Sequence, residues 1–316
     1  MSFPLFRLPE VALEEVLKKF NPKEILILTQ TSLRTRHRIS RHRKSYSVEI
    51  RVVRERLESY VNIINTDRKF FRINIHTWVT QFDSSWRFHT IVPVRYEKDA
   101  LVSFWTQKDI AFQEILDFLN EIFRIKEVSF NINRKSSDSA VHILEHCASK
   151  NLKIGSVDWP SFSGDKEVTE KILMASKGAS HLNIRVFTSS SMRFDHFHLF
   201  RMDLLEMEFA WWMTVENIVS LRNCKRIRLK FLSFTTLSLK QIFREYLKNP
   251  GELCDLRINI DYCIRMEQAI EGLNVVRVEE GNDMRGSKYW FSGHNGVKIS
   301  ATMMDWNKTV VIKREF

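Results

Sequence analysis

The hydrophobic pattern changes period several times along the chain. Leu13, Val16, Leu17 and Phe20 recur at i, i+3, i+4 and i+7, which is one apolar stripe of a helix. Leu8-Pro9 ahead of it predicts an extended entry, because a residue before proline avoids the helical region. Asn21-Pro22 ends the first helix and opens a second. Asn21 suits an N-cap, Pro22 the first helical position, and Glu24 the third position of a capping box. Ile25, Leu28 and Leu33 carry an apolar face through the second helix into a third. Three such helices in about 35 residues bury little among themselves and need cover from a partner or from the rest of the chain.

From Tyr46 the period drops to two. "YSVEIRVV", "RKFFRINIHTW" and "LVSFWT" alternate apolar and polar residues and predict strands. Residues 108–123, "KDIAFQEILDFLNEIF", predict a helix with Ile110, Ile115, Leu116, Leu119, Ile122 and Phe123 on its apolar side. Then a strand–helix unit recurs. Strand-like stretches open near Val128, Ile154, Leu182, Leu205, Ile227 and Leu256, a period of roughly 22–29 residues. Between them lie "DSAVHILEHCASK", "KEVTEKILMASKG", "TVENIVSLRNC" and "LSLKQIFREYLKN", which read as helices. After about Asn274 the helices stop, and "NVVRVEE", "KYWFSG", "VKISATMM" and "KTVVIKRE" predict antiparallel hairpins, with tight turns at His294-Asn295-Gly296 and Asp305-Trp306-Asn307. The expected fold class is α/β: an N-terminal three-helix unit, then an irregular leucine-rich-repeat-like strand–helix solenoid whose open end the C-terminal hairpins close. The expected domains are residues 1–45 and 46–316.

Composition narrows the function classes. The 316 residues are 44% hydrophobic with nine Gly and six Pro, which suits a packed core and leaves little material for a phosphate-cradling loop. No run approaches the ~20 apolar residues of a membrane span, and the N-terminus lacks the apolar core of a secretory signal. Cys147, Cys224, Cys254 and Cys263 are scattered without a C-x-x-C and read as reduced core thiols, as in a cytoplasmic or nuclear protein. There is no G-x-S-x-G and no H-E-x-x-H. His142 and His146 stand one helical turn apart beside Cys147, but a third ligand at metal spacing is missing; His196 and His198 read as loop histidines. No catalytic residue, cofactor or metal is therefore expected.

Leu8, Pro9, Leu13, Val16, Leu17, Glu24, Leu28, Ser32 and Arg36, that is an L-P pair, an apolar helix, an Asn-Pro loop with Glu, and Ser-x-x-x-Arg, resemble an F-box. With "FPLFRLP" ahead of them, they resemble the nematode-type group of F-box proteins; Phe20, where leucine is common, and Leu33-Arg34 depart from its pattern. The order of elements over residues 46–316 is similar to the type-2 F-box-associated domain. The resemblance implies a non-catalytic substrate receptor. It would dock on the Skp adaptor of an SCF-type cullin–RING ubiquitin ligase through Leu8, Pro9, Leu13, Val16, Leu17 and Leu28. Its second domain would hold a target protein of unknown identity. Trp211 and Trp212 in "FAWWMTV" are the candidate target contacts, since tryptophan is enriched in binding hot spots; the plainer reading packs them between repeats.

Charge supplies the alternative. Lys and Arg outnumber Asp and Glu by 49 to 38, a net +11, and "RTRHRISRHRK" from Arg34 to Lys44 holds no acid. A basic nucleic-acid-binding or scaffold protein would use this cluster, with salt-dependent affinity. Basic residues elsewhere are interleaved with acids, and the aromatics mostly fall at core spacing, which favours the receptor. Within the run, Arg34, Arg38 and Arg41 are expected on one exposed helical face, with Leu33, His37, Ile39 and Ser40 nearer the packed side.

Overall fold

The computed structural model describes residues 5–43, 47–54, 58–65, 70–78, 81–98, 100–132, 137–163, 166–187, 192–260, 264–281, 286–304 and 308–315, with side chains except at 137–139, 160–163 and 186. Lys44, Cys263 and the turn expected at Asp305-Trp306-Asn307 lie outside these residues. The chain is a mixed α/β protein that divides into two compact units, Met1–Gly155 and Ser156–Phe316.

The first unit opens with three helices, α1 (Glu10–Leu17), α2 (Pro22–Thr31) and α3 (Leu33–Arg41). Their boundaries are set by side-chain caps. The Asn21 side chain accepts from the Glu24 N–H at 3.0 Å, and the Glu24 carboxylate accepts from the Asn21 N–H at 2.7 Å. Ser32 caps α3 by accepting from the Thr35 N–H at 3.0 Å. Such caps each stabilise a helix by ~1 kcal/mol.

Seven strands come next, β1 (Ser47–Arg54), β2 (Ser59–Asn65), β3 (Phe70–His76), β4 (Ser84–Arg87), β5 (Ile91–Glu97), β6 (Ala100–Phe104) and β7 (Arg124–Ile132), with α4 (Lys108–Ile122) before β7 and α5 (Ser137–Ser149) after it. The spatial order is β7-β1-β2-β3-β6-β5-β4. β1 pairs with β7 and β3 with β6 in parallel; the other pairs are antiparallel. Period-two alternation puts Phe71, Ile73 and Ile75 inside on β3.

α4 is the central helix of this unit, touching α3, α5, β3 and β7. It therefore buries a wide face: Ala111, Phe112, Ile115, Leu116, Phe118, Leu119 and Ile122. Ile110, expected on that face, is 42% exposed instead. It sits in the first turn, ahead of the packed stretch.

In the second unit, β8 (Ile154–Ser163), β9 (His181–Phe187), β10 (Leu204–Met207), β11 (Arg226–Leu232) and β12 (Asp255–Ile260) run parallel in sequence order. Register lines up Val157, Leu182, Leu205, Ile227 and Leu256 as one buried row across the sheet, and Trp159, Ile184, Met207, Leu229 and Ile258 as a second. The helices α6 (Lys166–Ser176), α7 (Val215–Ser220), α8 (Thr236–Lys248) and α9 (Met266–Ile270) separate these strands or come after them. Between β9 and β10 the described residues hold a 3-10 turn at Phe197–Leu199 in place of a longer helix, with Phe194, Phe197 and Phe200 buried.

The C-terminal strands β13 (Val275–Glu279), β14 (Lys288–Ser292), β15 (Lys298–Met304) and β16 (Thr309–Glu315) are antiparallel, and β16 pairs with β12. The β12 edge is thus covered by a strand of the same chain. The β14–β15 turn sits at His294–Gly296, where Asn295 (φ 58°) and Gly296 (φ 73°) take the left-handed conformation that these two residue types tolerate best.

Candidate functional site

The three N-terminal helices pack around Leu13, Leu17, Ile25, Leu26 and Ile39, all at most 4% exposed. Leu17, Ile25 and Ile39 meet Ile122 of α4 around a small gap, so the helical unit rests directly on the β-sheet unit's central helix. The side chains lost to this packing are Leu13 and Leu17; among the other candidate adaptor contacts, Leu8, Val16 and Leu28 are half-buried and Pro9 is exposed. Leu28 lines a surface cavity of about 550 Å³ with Leu5, Phe6, Arg34 and Arg38. Sequence reasoning missed Val11, which is 76% exposed on α1, and Ile27, which faces solvent on α2. Val11 falls between the stripe positions Leu13 and Leu17 predict, so its exposure is the helical period read in reverse.

Half of the Lys and Arg side chains of the basic run are engaged by residues elsewhere in the chain. Arg36 is 6% exposed. Its Nε donates to both Glu121 carboxylate oxygens at 3.0 Å, and one terminal nitrogen pairs with the same carboxylate. The other donates to the backbone oxygens of Phe88 at 2.7 Å and Arg87 at 3.2 Å, with the guanidinium 4.5 Å from the Phe118 ring centre. Gln30 holds the same turn, accepting from the Arg87 N–H at 2.8 Å. Arg38 donates to the Phe6 carbonyl and Arg43 to the Asn120 carbonyl. His42 lies 2.8 Å from Glu10, closing the end of α3 onto the start of α1.

The packed side of α3 is therefore Thr35, Arg36 and Ile39. Leu33 and His37, expected nearer that side, are exposed. The reason is the Arg36 ion pair, which turns residue 36 inward and rotates residues 33 and 37 out. Arg34 and Arg41 are exposed as expected, while Arg38 is half-buried.

Trp211 and Trp212 part company. Trp212 is 5% exposed and stacks on Phe197 at 6.0 Å in the core. Trp211 is half-buried against Phe187, ring centres 4.4 Å apart, and Phe209 at 5.5 Å. His142 faces Glu145 and His146 faces Asp117, so the two imidazoles have separate acidic partners. Among the described residues no three metal-ligating side chains gather. Burial pushes the Cys147 thiol up to about 12 and the Cys224 thiol to about 11, so neither is a thiolate nucleophile at neutral pH. His196 and His198 are exposed around the Phe197–Leu199 turn. Among the described residues no helix is long and apolar enough to cross a membrane.

Comparison with known proteins places this helical unit. Residues 5–45 match the F-box domain. The chain is also similar to the Skn-1 dependent zygotic transcript 15 protein of Caenorhabditis elegans, 22% identical over 265 residues, which is 79% of this chain and 77% of that protein. No solved structure matches the chain. Residues 5–45 are an F-box domain.

Proposed function

We propose that this chain is a non-catalytic substrate receptor of an SCF-type cullin–RING ubiquitin ligase. The F-box of residues 5–45 docks on the Skp adaptor, and residues 46–316, read as an F-box-associated domain with leucine-rich-repeat-like character, hold a target protein. The observation that carries the reading is the pattern of exposure on the F-box. Leu13 and Leu17 are buried in its core, while Val11 and Leu33 are 76% and 59% exposed, Pro9 is exposed, and Leu8, Val16 and Leu28 are half-buried. Apolar side chains left in solvent on a small helical unit are available to a partner. Adaptor binding brings the held target to the ubiquitin-loaded enzyme, so the receptor contributes local concentration rather than chemistry. A cytoplasmic or nuclear location is the consequence of that partnership.

The nucleic-acid alternative loses its main support, because Arg36, Arg38 and Arg43 of the basic run are engaged by Glu121 and by backbone carbonyls. Co-purification of the full chain with the adaptor tests the proposal, beside Leu8→Ala/Pro9→Ala and Val11→Glu variants. The parent is expected to bind and the variants to bind weakly. A correctly folded parent that fails to bind the adaptor refutes it.

A further inference from the structure

Four aromatic rings meet at the C-terminal ends of three adjacent parallel strands: Phe187 from β9, Phe209 and Trp211 just after β10, and Phe231 from β11. Ring-centre distances link them in a chain, 4.4 Å for Phe187–Trp211, 5.4 Å for Phe187–Phe209 and 5.6 Å for Phe209–Phe231. The cluster is not core. Phe187 is 53% and Phe231 38% exposed, and Phe209 and Trp211 are half-buried.

Phe231 is held there against a local cost. Its φ is +55°, a conformation that a bulky side chain pays ~1–3 kcal/mol to adopt. The strand registers on either side explain how. Pairing of β11 with β12 slips between Leu229 and Leu232, so two successive residues, Lys230 and Phe231, both face outward. Phe231 then lies nearly parallel to Phe209, with 13° between ring planes. A bulge that turns an aromatic out of a sheet onto a second exposed aromatic is an expense that the core does not need.

Charge around the cluster is asymmetric. Arg185 on β9 is offset by Glu208, 3.6 Å away. Lys230 is exposed and has no ion-pair partner among the described residues. Among the described residues Lys230, the chain neighbour of Phe231, is thus an uncompensated cation. Glu206 on β10 pairs with Arg228 at 2.6 Å, so it too is offset.

The geometry points to this cluster as the docking site for an extended protein segment that presents an aromatic or large aliphatic side chain beside acidic residues. The side chain seats among Phe187, Phe209, Trp211 and Phe231, and the acid pairs with Lys230. This deepens the substrate-receptor reading by naming the class of target motif, and it rests on that reading for its biological meaning.

The test uses the full chain and labelled nonapeptides with a central Phe-Leu or Ala-Ala pair, flanked by Glu, Lys or Ser, read by fluorescence anisotropy. Glu-flanked Phe-Leu peptides are expected to bind best. Phe231→Gly should weaken them about tenfold, the size of one lost hot-spot ring, without lowering the thermal midpoint, because glycine tolerates the positive φ. Lys230→Glu should transfer the preference to Lys-flanked peptides. Equal binding of all peptides, or binding unmoved by Phe231→Gly and Lys230→Glu, overturns the proposal. So does self-association that these substitutions abolish, which would make the occupant a second copy, or displacement of the peptides by an oligouridylate. Adaptor co-purification is scored separately. Peptide binding without adaptor binding sinks only the ligase reading, and adaptor binding without peptide preference sinks only this one.

Discussion

Replacing Arg36 should damage the protein more than replacing any other charged residue of its basic run. Five polar interactions converge on this guanidinium: three with Glu121 and one each with the carbonyls of Arg87 and Phe88. Glu121 keeps 36% of its side chain in solvent, so it can be rehydrated when the arginine leaves; the Phe88 carbonyl bond is buried, so its acceptor cannot. Charge-assisted hydrogen bonds contribute ~1.5–3 kcal/mol and an unsatisfied buried carbonyl costs ~1–3 kcal/mol. Breaking a buried pair from one side costs ~3–5 kcal/mol in total. The arginine stem and its stacking on Phe118 add a packing loss. Arg36→Ala should therefore cost ~3–5 kcal/mol, and Arg36→Met less, because the stem remains. Glu121→Gln should cost ~1–3 kcal/mol, since the amide oxygen still accepts. Urea unfolding monitored by tryptophan fluorescence, to which Trp86 and Trp105 of the first unit contribute beside the tryptophans of the second, measures these values; Arg36→Met with Glu121→Gln completes a double-mutant cycle. A cost below ~1 kcal/mol for Arg36→Ala, or no coupling between the two sites, would show that Arg36 is solvated and does not fasten α3 to α4.

Other positions give sharper contrasts at less length. Leu13→Ala removes a side chain that is 1% exposed and should cost ~2–5 kcal/mol, whereas Val11→Ser, at 76% exposure, should stay within ~0.5 kcal/mol while still weakening adaptor capture; paired denaturation and pull-down experiments separate the two. Tyr246→Phe removes the hydroxyl that donates to the Leu253 carbonyl at 2.6 Å in the core and should cost ~1–3 kcal/mol in a thermal melt. Burial, reinforced by Arg95 and Lys108, holds the His76 imidazole below its ordinary pKa of 6.5. The unfolded chain then takes up that proton first, so the stability linked to His76 is full above the unfolded value and declines as pH falls from there toward the folded one. His76→Gln should flatten that part of the pH profile, and an unchanged difference in urea midpoint between about pH 7.5 and about pH 5.5 would contradict the assignment.

Legibility in the sequence tracks the range of the interactions involved. Asn21, Pro22 and Glu24 mark the junction of α1 and α2 because a capping box is closed within four residues. The long helix at 108–123 ends one residue early in the structure, at Ile122, because periodicity locates a helix better than its end. β2, β4 and β5 carry little local signal: β4 has four residues, and the hairpin it forms with β5 turns at His89-Thr90 without a glycine. The parallel neighbour of β3 is β6, beyond an intervening hairpin, and no local pattern encodes that choice. The same limit governs the site. Arg36 reads as one more cation in a basic run because Glu121, which neutralises it, stands 85 positions away. Trp211 and Trp212 look equivalent side by side, and only the neighbouring Phe197 and Phe187 decide which is core and which is partly open.

The Arg36 contacts bear on function as well as stability. An F-box joined to its target-holding region by a flexible tether would deliver a target over a broad volume, and transfer would depend on tether length. Here α2 and α3 are fastened to the β4–β5 turn through Gln30 and Arg36, to α4 through Arg36 and Arg43, and to the end of β5 through the Lys23 bond to the Lys98 carbonyl. Within the first 155 residues the F-box helices and the sheet are thus one packed body with its own core. For a target held within this same unit, orientation fixed in this way would favour one set of target lysines over others, because a reacting group held at a defined angle gains where a freely diffusing one does not. Glu121→Gln, which loosens the joint without removing apolar surface from the F-box, should leave adaptor capture intact and broaden the set of lysines modified on a given target. Mass spectrometry of the modified target measures this, and an unaltered lysine pattern alongside a confirmed loss of stability would mean that the joint sets stability alone.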